Sequence, residues 1–242
     1  MRLFFRHSHS PNQAPQQGRF YRAIQRLTRL QLRVWLHDMG KHQLLMALFA
    51  ILAGALSLGT ITIAAVLTDL PLLFPPLAPS AYILFTTPMA VQASPRNVIG
   101  AHTLAVLAGL CALQLMQLLQ PNAELLNPAV MNWPRVATIA LAMALVTALM
   151  AMWDCVHPPA AASAMLGAMG YLVEPAQAAG LVAAAILLVL EAILLNRTLG
   201  GLPYPLWRSN PHLTRQFGLL AGQTGHQATY WHHLADRIVH RR

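Results

Sequence analysis

The sequence predicts an all-α membrane protein, a polytopic transmembrane bundle of about six hydrophobic helical segments arranged as two inverted repeats. Three observations support this prediction. Of 242 residues, 56% are hydrophobic and only 10% are charged, whereas ordinary soluble domains carry about a quarter charged residues. The apolar residues are concentrated in long uncharged runs. Two further apolar stretches contain prolines, resemble each other, and each lies between two of those runs.

The first 43 residues are predicted to be a cytoplasmic tail. Residues 1–18 are polar and rich in Pro, Gln, Ser and His, with too little apolar surface to order the chain. Residues 20–37 form an amphipathic pattern with four bases at helical spacing: Arg22, Arg26, Arg29 and Arg33. We expect a helix on the inner leaflet, held by anionic lipid headgroups at about 1 kcal/mol per base. A docking helix for a protein partner is the alternative.

Four uncharged or nearly uncharged runs are long enough to span a bilayer. The first, residues 44–67, contains no charge and covers roughly 36 Å as a helix, enough to cross the hydrocarbon core with some tilt. Residues 98–119 and 136–153 are likewise uncharged and long enough to span. Residues 176–195 carry one charge, Glu191 near their end. Each run therefore predicts a transmembrane helix.

Two shorter apolar segments, residues 72–93 and 157–173, are unlike ordinary spanning helices because prolines interrupt or begin them. A shift of 83 positions pairs Pro75, Pro76 and Ser80 with Pro158, Pro159 and Ser163. The chain then contains two copies of helix, broken helix, helix, at residues 44–119 and 134–197, within a membrane domain of residues 44–200. If each copy crosses three times, the two copies have opposite orientations. A cytoplasmic tail is predicted for residues 201–242.

The distribution of basic residues predicts that both termini are cytoplasmic. Eight of the sixteen Lys and Arg residues precede the first span and six follow the last. The number of crossings is then even. Six crossings place Arg96 in a cytoplasmic loop, whereas four crossings with two re-entrant segments place it outside; the basic residues favour six. We expect an inner, plasma-membrane location.

The two broken segments point to a central site, since a helix break at membrane depth is tolerated only beside protein or a water-filled cavity. Pro75-Pro76 and His157-Pro158-Pro159 are typical of helix starts. Such starts offer free N–H donors and a partial positive charge, which favour an anion. Ser80 and Ser163, just inside each start, are candidates to add hydroxyls to the same site. The alternative is that the prolines only end the preceding helix and fix a turn.

Arg96 is a further candidate for the anion site or pathway. Residues 94–97, Ser-Pro-Arg-Asn, are typical of a helix cap and first turn, where a cation is unfavourable against the helix dipole. A substrate anion, a lipid phosphate or the carboxylate of Asp154 would offset it. Asn97 is included in the candidate site, although for it, as for Gln92 and His102, satisfying the helix break is the simpler role.

His157 and Asp154 are candidates for proton coupling, since they are three residues apart and would hydrogen-bond if a helix continued between them. Glu191, near the end of the last span, is expected to reach water or Arg197. The C-terminal histidines have no acidic or Cys companions at metal-ligand spacing, so no metal or cofactor site is predicted. No catalytic motif is present, and we expect no enzymatic activity and no nucleic-acid partner.

The residues around these breaks resemble the HPP family of integral membrane proteins. The similarity includes His157-Pro158-Pro159, the stretch of residues 79–102 with its Pro-Arg-Asn at 95–97, and Tyr-Pro-Leu-Trp at 204–207. The family commonly has Gln-Pro-Arg-Asn where this chain has Ser at 94. The resemblance implies an inner-membrane or plastid-membrane protein, and some members are described as nitrite transporters.

We therefore expect a transporter or channel-like protein for a small inorganic anion, with nitrite the best guess. One rival is a membrane scaffold or sensor whose basic tails recruit a cytoplasmic partner. A second is a membrane-embedded enzyme acting on lipid or a quinone, for which the sequence offers few polar residues. The oligomeric state does not follow from the sequence.

Overall fold

The computed structural model describes residues 42–216 and Leu220. The predicted disordered tail (1–18) and surface helix (20–37) lie outside these residues. The described chain forms seven α-helices and two single 3₁₀ turns, Val91–Ala93 and Pro121–Ala123, and contains no strand. The helices are α1 (His42–Thr68), α2 (Leu77–Thr86), α3 (Pro95–Leu119), α4 (Trp133–Met152), α5 (Ala160–Ala168), α6 (Pro175–Thr198) and α7 (Pro211–Gln216).

The four predicted spans are confirmed as α1, α3, α4 and α6, each long and apolar enough to cross a membrane. Proline occupies the first turn of α3, α4 and α6, where its missing N–H costs nothing and its fixed φ suits a helix. Large apolar side chains on these helices are exposed, which in water would be unfavourable and in lipid is not. The chain is therefore a helical membrane bundle.

The centre of the bundle is α3, which packs against α4, α5 and α6. Its contact with α5 uses small residues: Ala101, Ala105 and Ala108 lie against Ala160 and Ala164. A Cβ on Gly109 would lie 2.3 Å from the carbonyl oxygen of Ala164. Small side chains let helix backbones approach closely, which is how helices associate when lipid removes the hydrophobic driving force.

A second apolar core joins α1, α2 and α6 through large aliphatic and aromatic side chains, including Leu77, Leu84 and Leu188. Phe49 of α1 contacts Phe85 of α2 edge to face, with ring centroids 6.3 Å apart. The short helix α2 is thereby held between two long helices.

Each short segment runs along a long neighbouring helix, so that the start and the finish of the segment lie near opposite ends of that helix. Before α2, Pro71 contacts Gly180 near the start of α6, while Leu84 near the end of α2 accepts a hydrogen bond from Asn196 near the end of α6. Likewise α5 follows the end of α4, yet its last residue, Ala168, accepts a hydrogen bond from Arg135 at the start of α4. Six crossings and the inversion of the two halves stay predictions, to which these contacts add support.

The chain after α6 folds back on the bundle, so residues 201–216 are not a separate tail. Tyr204 is fully buried and its hydroxyl donates to the carbonyl oxygen of Ala93; burial raises the pKa of this phenol above its ordinary value. Thr214 donates to the carbonyl oxygen of Met89 at 3.1 Å. This return segment covers the end of the bundle at which α3 begins.

Candidate functional site

Four polar side chains meet without solvent contact where the starts of the two short helices approach α3. They are Ser80 of α2, His102 of α3, His157 before α5, and Ser163 of α5, each 0% exposed. We refer to these four as the Ser–His cluster. Buried polar side chains are costly unless they are hydrogen-bonded, so their joint burial marks a constructed site.

Prolines position three of the four members. Pro76 caps α2 and Pro159 caps α5, as the proline pattern predicts. Ser80 and Ser163 follow each cap by four residues, so they lie at equivalent places on the first turn of their helices. His157 is held in the turn that precedes α5, where its carbonyl oxygen accepts from the N–H of Ala160 at 3.0 Å.

The cluster forms one continuous chain of hydrogen bonds. Ser163 Oγ lies 2.8 Å from His102 Nδ1, and His102 Nε2 lies 2.9 Å from Ser80 Oγ. Ser80 Oγ lies 2.9 Å from His157 Nε2, and His157 Nδ1 lies 2.8 Å from the carbonyl oxygen of Gln92. The two imidazole rings are 5.3 Å apart. Residues from both halves of the chain thus take part in a single path.

With neutral imidazoles, one arrangement of protons satisfies every bond in this path. A carbonyl oxygen only accepts, so His157 Nδ1 carries its proton and His157 Nε2 accepts from Ser80. The carbonyl oxygen of Pro76, 2.9 Å from Ser80 Oγ, competes for the one hydrogen of this hydroxyl. With that hydrogen on the His157 side, Ser80 accepts from His102 Nε2–H, which leaves His102 Nδ1 to accept from Ser163. Every donor points from Ser163 towards Gln92. Such an ordered path is the geometry that proton transfer needs.

The expected free N–H donors at the two helix starts are not present in this conformation. In α2, the N–H groups of Leu77 and Ala78 donate to the carbonyl oxygens of Phe74 and Pro75, and that of Ser80 donates to Pro76. In α5, the N–H groups of residues 160–162 donate to the carbonyl oxygens of residues 157–159. The prolines that begin each helix tighten its first turn, so the side chains and not the backbone supply the donors.

Arg96 does not pair with the carboxylate of Asp154. It donates from Nη1 to the carbonyl oxygen of Asp154 at 2.6 Å and from Nη2 to that of Trp153. These carbonyls follow the last turn of α4, where the helix dipole is negative and a cation is favourable. The charge that is misplaced at the start of α3 is therefore compensated by the end of α4.

The side chain of Asn97 hydrogen-bonds at both helix breaks, which is the simpler of the two roles predicted for it. Its side-chain N–H groups donate to the carbonyl oxygens of Val91 at 3.1 Å and Val156 at 3.3 Å. It joins the turn before α3 to the turn before α5. Pro159 is buried and Pro158 is exposed, so of this pair only Pro159 packs inside the protein.

The predicted hydrogen bond between Asp154 and His157 is wrong. The helix does not continue between them: α4 ends at Met152, and Asp154 has a φ of 51°. Asp154 is exposed, while both ring nitrogens of His157 bond to Ser80 and Gln92. The structure thus separates the two residues proposed for proton coupling and leaves His157 in the cluster.

Arg135 is a buried charge that the sequence analysis did not select. It is 1% exposed and donates to the carbonyl oxygens of Ala168, Asn127 and Val130. It stands at the end of α5 as Arg96 stands at the end of α4. The sequence feature that could have identified Arg135 is its position in the first turn of α4, three residues after Asn132. The side chain of Asn132 caps that helix.

Glu191 does not reach Arg197. The helix α6 runs to Thr198, so Glu191 lies about two turns from its end. Its Oε1 contacts the hydroxyl of Thr60 on α1, and Arg197 donates instead to the carbonyl oxygen of Tyr204 at 2.8 Å.

Two of the concave surfaces formed by the described residues lie at opposite ends of the bundle. One, of about 240 Å³, is lined by residues that include Arg197, Arg208 and Asn210, at the end covered by the return segment. The other, of about 420 Å³, lies beside Trp133 and Arg135 at the start of α4. At least one arginine lines each surface, and the Ser–His cluster lies between the two ends. Within the described residues, no group of three His, Cys, Asp or Glu side chains is arranged to hold a metal ion.

Comparison with protein families gives a match over most of the chain. The profile of a family described as "HPP, transmembrane region" matches residues 39–205. That range contains all six long and short helices α1 to α6, the Ser–His cluster and the first part of the return segment. A comparison with curated proteins finds no match, and a comparison with solved structures finds none either.

Proposed function

Because the chain belongs to the HPP family of transmembrane proteins, we propose that it is a transporter or channel-like protein for a small inorganic anion, with nitrite the best candidate. The observation that supports this most is the Ser–His cluster, which gathers hydroxyl and imidazole donors from both halves into a place with no solvent-accessible surface. Donors fixed in such an environment bind a charge more strongly than they would in water. In secondary transporters, substrates bind where two repeats meet.

The sign of the charge follows from the surrounding groups. Arg96 and Arg135 make their hydrogen bonds to carbonyl oxygens, apart from a long contact between Arg96 and the side-chain oxygen of Asn97. Among the described residues, no carboxylate pairs with either arginine. Ser80 and Ser163 supply neutral donors, and His157 or His102 becomes a cation if it takes a second proton. An entering anion would compensate that cation, which links anion passage to protons.

The conformation described by these residues is closed. Every polar atom of the Ser–His cluster is engaged by another member or by a carbonyl oxygen, and the cluster lies outside both surface cavities. For an anion to pass, the start of α2 must move from the start of α5, so that the hydroxyls of Ser80 and Ser163 turn from the histidines to the ion. Movement of one half against the other would achieve this. We place the protein in the inner membrane, with both termini cytoplasmic.

The test is nitrite uptake into liposomes that contain the purified protein, with empty liposomes to subtract diffusion of nitrous acid. We expect Ser80→Ala, His157→Gln and Arg96→Ala to reduce protein-dependent uptake by about tenfold, since losing one polar contact of a buried group costs about 1–3 kcal/mol and about 1.4 kcal/mol is tenfold. Thr103→Val is the matched control: it changes a hydroxyl next to His102 that bonds only within its own helix. Uptake in this control should equal that of the unaltered protein.

Folded protein that moves neither nitrite nor related small anions would overturn the proposal. A membrane scaffold or sensor would then be the better explanation. It would be recognised by function that survives changes in the Ser–His cluster and is lost on deletion of the terminal tails.

A further inference from the structure

Glu191 is the one carboxylate inside the four spans, and it is held where an ionised carboxylate is expensive. Its Oε2 has no accessible surface and no hydrogen-bond partner among the described residues. The hydroxyl of Ser57, on α1, is in the same condition, and Ser57 is 0% exposed. The Ser57 side chain faces the Glu191 carboxyl, without hydrogen-bond geometry between them. Two buried polar atoms therefore face each other with no bond that satisfies either.

The contacts of Thr60 indicate whether this carboxyl carries a proton. The Thr60 hydroxyl contacts Glu191 Oε1 and also lies 2.9 Å from the carbonyl oxygen of Ser57. One hydroxyl has one hydrogen, and a carbonyl oxygen only accepts. Both contacts become hydrogen bonds if Glu191 carries a proton on Oε1 and donates it to Thr60, which then donates to the Ser57 carbonyl. The Ser57 hydroxyl is then free to donate to Oε2.

We propose that Glu191 of α6 binds a proton within the membrane, in a site completed by the hydroxyls of Ser57 and Thr60 on α1. The site lies at the contact of α1 with α6, whereas the Ser–His cluster lies where α2, α3 and α5 meet. The proton binding stands by itself. Its use as the proton that accompanies an anion rests on the proposed function.

Among the described residues, no charged partner offers an alternative way to stabilise the carboxylate. The helices packed against α6 are α1, α2 and α3. From Leu44 to Thr68, α1 has no ionisable side chain, and in α2 only Tyr82 titrates, with 70% of its surface exposed. In α3, Arg96 and His102 bond elsewhere and Cys111 is exposed. On α6 itself, Arg197 bonds to Tyr204.

A sodium ion fits these residues less well than a proton. Transporter sodium sites take carbonyl oxygens from unwound helices. Here α1 and α6 are continuous helices through Ser57, Thr60 and Glu191. Their carbonyl oxygens are engaged along the helix, which leaves too few oxygens to replace a hydration shell.

Infrared difference spectroscopy of the full-length protein in lipid tests the proton. We expect a carbonyl-stretching band of a protonated carboxylic acid at neutral pH, which disappears in Glu191→Gln. The matched control is Glu174→Gln, which changes an exposed carboxylate at the start of the same helix; it should retain the band. Ser57→Ala should keep the band, since the Ser57 hydroxyl makes no hydrogen bond to the carboxyl in this conformation.

Absence of the band at neutral pH, or its persistence in Glu191→Gln, would overturn the proposal. Loss of the band on adding sodium at constant pH would also overturn it, in favour of a cation site. Thermal unfolding of each variant in detergent shows whether the protein is folded.

The link to transport is measured separately. In liposomes, Glu191→Gln should abolish the response of nitrite uptake to an imposed pH gradient, while exchange without a gradient continues. A protein that shows the Glu191 band but transports no anion would sustain the proton site and refute the proposed function. A protein that transports anions, with a gradient response intact in Glu191→Gln, would remove Glu191 from the coupling.

Discussion

Several polar side chains in this protein hydrogen-bond to main-chain oxygens that are remote from them in the sequence. Arg96 and Arg135 each lie in the first turn of one helix, where the dipole disfavours a cation, yet each donates to carbonyl oxygens at the end of another helix. The hydroxyl of Tyr204, which follows α6, likewise donates to the carbonyl oxygen of Ala93. The breaks between helices expose main-chain oxygens inside a membrane protein, and long polar side chains from elsewhere satisfy them.

The direction of the hydrogen bonds in the Ser–His cluster predicts unequal costs for its two serines. Ser80→Ala removes both the acceptor of His102 Nε2–H and the donor to His157 Nε2, whereas Ser163→Ala removes only the donor to His102 Nδ1. Each orphaned buried group costs about 1–3 kcal/mol. We expect Ser80→Ala to lower the free energy of unfolding about twice as much as Ser163→Ala.

Reversible unfolding in mixed micelles with increasing denaturing detergent gives this comparison. Thr103→Val, whose hydroxyl bonds only within α3, should change the free energy of unfolding much less. Equal costs for the two serines would contradict the single proton arrangement described for the cluster.

Between helices, small residues decide which pairs approach closely. The contact of α3 with α5 is the most extensive in the bundle, although α5 is one of the shortest helices. Gly109 and Gly167 face each other there with backbone atoms in contact. This close packing holds Ser163 against His102, so the geometry of the Ser–His cluster depends on it.

We expect Gly109→Ala to destabilise the protein by about 1–3 kcal/mol, the usual cost of overpacking. The added Cβ would lie 2.3 Å from a main-chain oxygen, which cannot move aside as a side chain can. The matched control is Gly59→Ala on α1, where a Cβ meets nothing within 4 Å.

Because Ala is a better helix former, the Gly59 change should be neutral or stabilise by up to about 1 kcal/mol. Thermal unfolding midpoints in detergent measure both variants. A Gly109→Ala protein as stable as the Gly59→Ala protein would show that α3 and α5 are not in close contact.

The bundle as a unit has two distinct ends, and the contacts assign most loops to one or the other. The turn before α3, the turn after α4 and the return segment meet at one end: Arg96 donates to residues 153 and 154, and its N–H donates to Trp207. At the other end, Arg135 joins the loop before α4 to the end of α5. This grouping is the one that six crossings require.

Cysteine labelling separates six crossings from four. In a protein without Cys111 and Cys155, we expect Asn122→Cys to react with a membrane-impermeant maleimide in intact right-side-out vesicles. Val91→Cys should react only after permeabilisation. Both positions are exposed. Four crossings with re-entrant short segments predict the opposite pattern.

Arg208→Cys serves as the control for orientation, since the C-terminal side is cytoplasmic in either arrangement. Its reaction in intact vesicles would contradict the cytoplasmic assignment of the termini. Retained nitrite uptake, or retained thermal stability, identifies the variants that are folded.

Much of the architecture was predictable because the bilayer imposes it. A hydrocarbon core of fixed thickness requires long uncharged helices, so the four spans could be found from composition, and prolines marked the starts of α2, α3 and α5. Ser80, His157 and Ser163 were selected from the same pattern, and they do meet. His102 was noticed only as a residue beside a break, although it lies at the centre of the cluster.

Tertiary structure decided the partners. Periodicity places a residue on its own helix and carries no information about what approaches from another helix. The pairing of Arg96 with carbonyl oxygens and the separation of Asp154 from His157 could therefore not be foreseen. The same holds for the contact of Glu191 with Thr60. Hydrogen-bond direction likewise required all four members of the cluster to be in place. The sequence determined which polar groups enter the membrane, because their cost depends on their chemistry; only packing decided which groups satisfy them.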